Sequence, residues 1–161
     1  MTRPTILPTL FTLTLVALAV GCGPTVQLQL PERFVMLTDD ANLARGRYEV
    51  RATTPDGVVV GVQSLEHRVD GSLAFWTEAI TRRVRDQQGY ALVSEEDVRS
   101  ASGESGHLMR FARDLDGHGY KYSIALFVTP DRIYLVEAGG RTVAYDALES
   151  GIEEAINQMR L

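Results

Sequence analysis

Apolar and polar positions alternate with a period of two over several stretches of the chain and recur at helical spacing over two others, and these switches predict the order of elements. Tyr48, Val50 and Ala52 alternate with Glu49 and Arg51, Pro55-Asp56-Gly57 supplies turn chemistry, and residues 58–65 return as an apolar run. A β-hairpin is predicted. Asp70-Gly71-Ser72 then offers a helix N-cap, and Leu73, Trp76, Ile80 and Val84 share one helical face until Gly89 ends the pattern. Residues 90–93 read as a short strand and the polar stretch 95–106 as a loop, with room for one helical turn capped by Ser94.

The β pattern resumes at His107, where Met109 and Phe111 alternate with Arg110 and Arg113. Asp116-Gly117-His118-Gly119 makes a turn, residues 120–128 form a long strand, and Thr129-Pro130-Asp131-Arg132 turns the chain into residues 133–138, completing a three-strand meander before Gly139-Gly140. Leu148, Ile152, Ala155, Ile156 and Met159 then fall on one face of a closing helix. Hairpins with two amphipathic helices, in place of alternating βαβ units, predict an α+β fold in two layers: an antiparallel sheet of about five to six strands packed with two main helices.

Ahead of this domain, Arg3 is the only charge before Glu32, and residues 6–20 are dominated by Leu, Val, Ala, Phe and Thr. This is the pattern of a signal peptide, and its apolar core is shorter than the roughly 20 residues of a spanning helix. Ala19-Val20-Gly21-Cys22 resembles the bacterial lipobox, with Ala19 standing where Leu is usual. The resemblance implies cleavage before Cys22, lipidation of its sulfur and a stable membrane anchor made by several acyl chains. Position 23 is Gly and not Asp, which by resemblance to Gram-negative lipoproteins implies the outer membrane, facing the periplasm. The expected organisation is a signal peptide over residues 1–21, a lipid-anchored tether over 22–31 and one domain over 32–161.

The layout from Tyr48 onward resembles the PsbP/Mog1/DcrB-like superfamily. The resemblance is carried by Pro55-Asp56-Gly57, the helix start Leu73-Ala74-Phe75-Trp76, Gly89-Tyr90, and residues 120–128 leading into Ile133-Tyr134-Leu135-Val136-Glu137. It implies a curved antiparallel sheet between or beside helices, and a binding or assembly module, often in extracytoplasmic lipoproteins and generally without catalysis. No functional residue transfers with it.

Composition narrows the chemistry. The 161 residues are 45% hydrophobic and 23% charged, an ordinary globular balance, and the net charge of −5 gives no general footprint for nucleic acid. Cys22 is the only cysteine, so once lipidated it leaves no thiol for a disulfide, a metal or nucleophilic catalysis. His67, His107 and His118 are scattered, and neither a metal nor a cofactor is expected. Asp114, Asp116 and His118 alternate in a glycine-containing loop, but their spacing is wrong for a calcium loop and suits a turn.

The one basic cluster is Arg82, Arg83 and Arg85 near the end of the first helix. Guanidinium forks there suit phosphate or carboxylate, while Glu78 four residues earlier and the helix C-terminus equally suit a solvated face. Glu95-Glu96-Asp97 are read as loop acids facing water. Ser105 and His107 are the candidates for a hydrolase, although the serine lacks the G-x-S-x-G spacing of a nucleophile elbow. Trp76 and Phe75 are expected in the core, and Tyr120, Tyr122, Tyr134 and Tyr145 are candidates for surface contact. The expectation is a lipid-anchored, non-catalytic binding or assembly module with an envelope protein partner. The alternative is a sensor of a small ligand or polyanion on the arginine face.

Overall fold

A computed structural model of the chain describes residues 26–37, 46–67 and 70–161. Seven strands form one antiparallel sheet: β1 (Val35–Met36), β2 (Val50–Thr53), β3 (Val59–Glu66), β4 (Ala91–Arg99), β5 (Ser105–Leu115), β6 (His118–Val128) and β7 (Arg132–Arg141), in spatial order β1-β2-β3-β7-β6-β5-β4. The helices are α1 (Leu73–Gln88), α2 (Thr142–Asp146) and α3 (Glu149–Gln158).

The two layers expected become three. In β6, Ala125 and Phe127 point to one core with Ile152, Ile156 and Met159, while Ile124 and Leu126 point to another with Val84 of α1. Both sides of the central strands are covered, so residues 123–127 are all buried and the strand reads as a continuous apolar run. The strand count rises above the expected five to six with β1, a two-residue strand paired to β2 at the sheet edge. Residues 95–99, expected as loop, belong to β4. Their acids are tolerated there because β4 is an edge strand and because they find partners on β5: Glu96 with Arg110, and Asp97 with His107 at 2.9 Å.

Several turns follow the sequence closely. Ser72 caps α1 by accepting from the Phe75 backbone N–H at 3.2 Å, and Gly89 ends it with φ +70°. Asp116 and Gly117 both have positive φ, 52° and 75°, the type I′ geometry of a two-residue hairpin, which accounts for that acidic loop without an ion. The closing segment departs from expectation in carrying the short α2 ahead of α3. Lys121 holds this layer to β6 through Asp146 at 2.7 Å and Glu149 at 3.0 Å, and its hydrogen bond to Asp146 leads in raising its pKa.

The N-terminal segment differs from the expected tether. Val26 is buried, Leu28 and Leu30 pack against the α3 core, and Gln27 pairs with Arg160. Apolar side chains at alternate positions dock these residues as part of the domain. Residues 22–25 of the expected tether, Cys22 included, lie outside the described residues, as does the signal peptide.

Candidate functional site

The two faces of the sheet are covered unequally. On the α3 side, Ile152, Ala155 and Ile156 are all buried, whereas Val84 is the one fully buried side chain of α1. Helix α1 stands over β4, β5, β6 and the start of β7, and among the described residues no helix covers β2, β3 and the far half of β7 on that face. A cleft of about 460 Å³ remains between the C-terminal half of α1 and the sheet, and a smaller hollow of about 190 Å³ borders it over β3 and β7. A concave site of this size, part apolar and part polar, is where a small ligand is ordinarily held.

The cleft has a polar floor centred on Glu137. In β7, Ile133, Leu135 and Glu137 point to the α1 side and Tyr134, Val136 and Ala138 to the other. The carboxylate accepts hydrogen bonds from Tyr122 Oη, from Gln63 Nε2 at 2.8 Å and from Tyr48 Oη at 3.4 Å. Burial, followed by the neighbouring Glu137 charge, raises the pKa of both Tyr122 and Tyr48, so both phenols stay protonated as donors. Glycines make room for these rings. A Cβ on Gly61 would lie 2.7 Å from Tyr48 Cε1, and one on Gly139 3.2 Å from Tyr122 Cδ2. Arg51 stacks over the Tyr48 ring at 4.9 Å.

The aliphatic wall is formed by Leu65 and Leu135, which lie beside this floor on the same sheet face, and by Ile80 and Val84 of α1 across from them. Arg47 and Arg83 complete the lining, both exposed. The sequence singled out Arg83 but not the cleft. Its signal was Glu137, an acid inside the apolar run 133–138, together with glycines on the neighbouring positions 61 and 139.

The arginine cluster is not one surface patch. Arg82 and Arg83 line one exposed hollow on α1 with Glu78 and Asp86, Arg82 ion-paired with Glu78 at 2.8 Å; Arg83 also borders the cleft, and Arg85 is exposed at the helix end and lines neither. The tyrosines also divide. Both Tyr134 and Tyr145 are buried, against expectation: Tyr134 because β7 is covered on both faces, and Tyr145 because it lies on α2 and packs into the α3-side core, with its Oη 2.6 Å from Ser123 Oγ. Trp76 packs into the α1 core as expected, while Phe75 remains half-exposed beside it.

A second groove, between α1 and β4, contains His107. Its Nδ1 lies 2.9 Å from Asp97 and its Nε2 3.6 Å from Glu95. Both ring nitrogens thus face carboxylates, and among the described residues no hydrogen bond joins His107 to Ser105, so the pair does not form a nucleophile and base. The described residues hold no cluster of three or more His, Cys, Asp or Glu side chains suited to a metal, and none of their helices is long and apolar enough to cross a membrane.

Solved structures share this architecture. LpqN of Mycobacterium tuberculosis, described as involved in cell envelope biogenesis, superimposes with a TM-score of 0.69 at 14% identity, over 85% of this chain and 83% of that one. Cyanobacterial PsbP (CyanoP) of Synechocystis sp. PCC 6803 gives 0.57 at 14% identity, over 89% and 95%. The fold is PsbP-like. A Pseudomonas aeruginosa protein, PA94, gives 0.56 at 10% identity, over 86% and 84%. At these identities the likeness is one of fold, and no site residue is carried across. No protein-family model and no curated protein matches the sequence.

Proposed function

We propose that this protein is a non-catalytic binding module of the bacterial cell envelope, tethered to a membrane through a lipidated Cys22, and that its binding site is the cleft between α1 and the sheet. The observation that carries the reading is the half-covered sheet face: a helix that seats only Val84 fully, above a carboxylate held by three donors. The likeness in fold to LpqN, an envelope-biogenesis protein, supports the envelope setting. His107, whose two ring nitrogens face the carboxylates of Asp97 and Glu95, supports binding without catalysis.

The anchor also constrains the geometry. Val26 is already buried in the domain, and the four residues from Cys22 span at most about 14 Å when extended. A lipid on Cys22 therefore holds the domain close to the bilayer, where a tethered site meets envelope ligands at raised effective concentration. Of the two occupants expected from sequence, an envelope protein or a small ligand, the cleft favours the small ligand. Methyl-resolved NMR tests this. Adding an extract of envelope small molecules is expected to shift Leu65, Ile80, Val84 and Leu135 and to leave Val143 and Ala155 in place. Shifts absent from the cleft, or centred on the α3 face, contradict it.

A further inference from the structure

The cleft carries an unbalanced positive charge at its lining. Several other basic side chains are ion-paired: Arg33 with Asp56, Arg82 with Glu78, Arg110 with Glu96 and Glu153, and Lys121 with Asp146 and Glu149. Arg47 and Arg83 are not ion-paired among the described residues, although they come from different segments, one ahead of β2 and one on α1, and line the same cavity. Exposed arginines with no ion pair among the described residues present their guanidinium forks to the cavity, and two forks reaching one cavity suit an oxyanion such as phosphate or carboxylate.

We propose that Arg47 and Arg83 form an anion clamp on the α1 cleft, and that its ligand is a small amphipathic anion with a phosphate or carboxylate head and an aliphatic body. The inference rests on the cleft being the binding site and adds the chemistry of what it takes. The body is assigned to the wall of Ile80, Val84, Leu65 and Leu135, four aliphatic side chains facing one another across the cavity. The orientation follows from charge. Glu137 already accepts three hydrogen bonds and repels a second anion from the floor, so the head stays with the arginines. A cavity of about 460 Å³ holds a small free molecule, and this points to a soluble anion in preference to a membrane surface.

Hexyl phosphate is the probe, with inorganic phosphate and hexanol as its two halves. In methyl- and arginine-resolved NMR of the folded domain, hexyl phosphate is expected to give saturable shifts at Leu65, Val84 and Leu135. Arg47→Ala and Arg83→Ala are each expected to weaken it by about tenfold, as loss of a charge-assisted contact does. Both variants alter exposed side chains, and an unchanged far-ultraviolet spectrum confirms their fold. Inorganic phosphate is expected to shift the two arginines alone. Hexanol binding as tightly as hexyl phosphate, or affinity unchanged in both arginine variants, overturns the clamp. So does co-sedimentation with phosphatidylglycerol vesicles in the absence of any response to hexyl phosphate, which assigns the arginines to a membrane surface. If hexyl phosphate is silent while an envelope extract shifts the cleft, the clamp falls and the binding site stands; if both are silent, both fall.

Discussion

Glu137 is the residue on which the site turns, because a half-buried carboxylate on the floor of the cleft is held by its donors. Hydrogen bonds to a charged acceptor are worth roughly 1.5–3 kcal/mol, and Glu137→Gln keeps the shape while removing the charge. The variant is expected to lower the unfolding free energy by about 1–3 kcal/mol in urea titration, with part of that loss already absent in a Tyr122→Phe background. Tyr145 gives a second prediction at this scale. Burial leads in pushing its pKa up to about 12, against an ordinary phenol value of 10 in the unfolded chain. Its contribution is therefore whole below pH 10 and is lost as pH rises towards 12, amounting to about 2–3 kcal/mol. Alkaline denaturation followed by circular dichroism is expected to show this fall, and Tyr145→Phe to flatten it. Neither residue's role was legible in the sequence: the donors of Glu137 come from distant strands, and Tyr145 lies on a short helix that carries no periodic signal of its own.

Helix α1 and strand β4 show what element-level reading captures and what it misses. The cap at Ser72, the stop at Gly89 and the apolar stripe of α1 are local in cause, so the sequence carries them in full. Ser72→Ala is expected to cost about 1 kcal/mol in thermal or urea unfolding, the usual value of a lost N-cap. The start of β4 was read as a strand, but its continuation through residues 95–99 was hidden because its acids are satisfied by residues ten or more positions away, Arg110 and His107, and such cross-strand pairing has no local signature. The cleft was hidden for the same reason, since Tyr48, Gln63, Tyr122 and Glu137 converge only when β3, β6 and β7 are assembled. The light seating of α1 has a dynamic consequence. With one fully buried side chain against three in α3, α1 amides are expected to exchange with deuterium faster than those of α3, and to slow when the cleft is filled.

At the scale of the whole molecule, the proposed lipid anchor and the proposed ligand site would together place small-ligand binding beside a membrane. Cys22→Ala is expected to abolish incorporation of labelled fatty acid and to release the protein from the membrane fraction; unchanged fractionation together with no label in the wild type contradicts the anchor. The α+β class and the order of most elements were legible from periodicity and turn residues, whereas the third layer emerged only from long-range packing. The central claim is that the open half of the α1 face is where the protein binds. Its most direct test places a photo-crosslinking residue at Leu65, in the cleft, or at Val143, exposed on α2, in the living cell. The account predicts a discrete mass increment on the intact protein from position 65 and none from position 143; increments at 143 alone, or the same at both, contradict it.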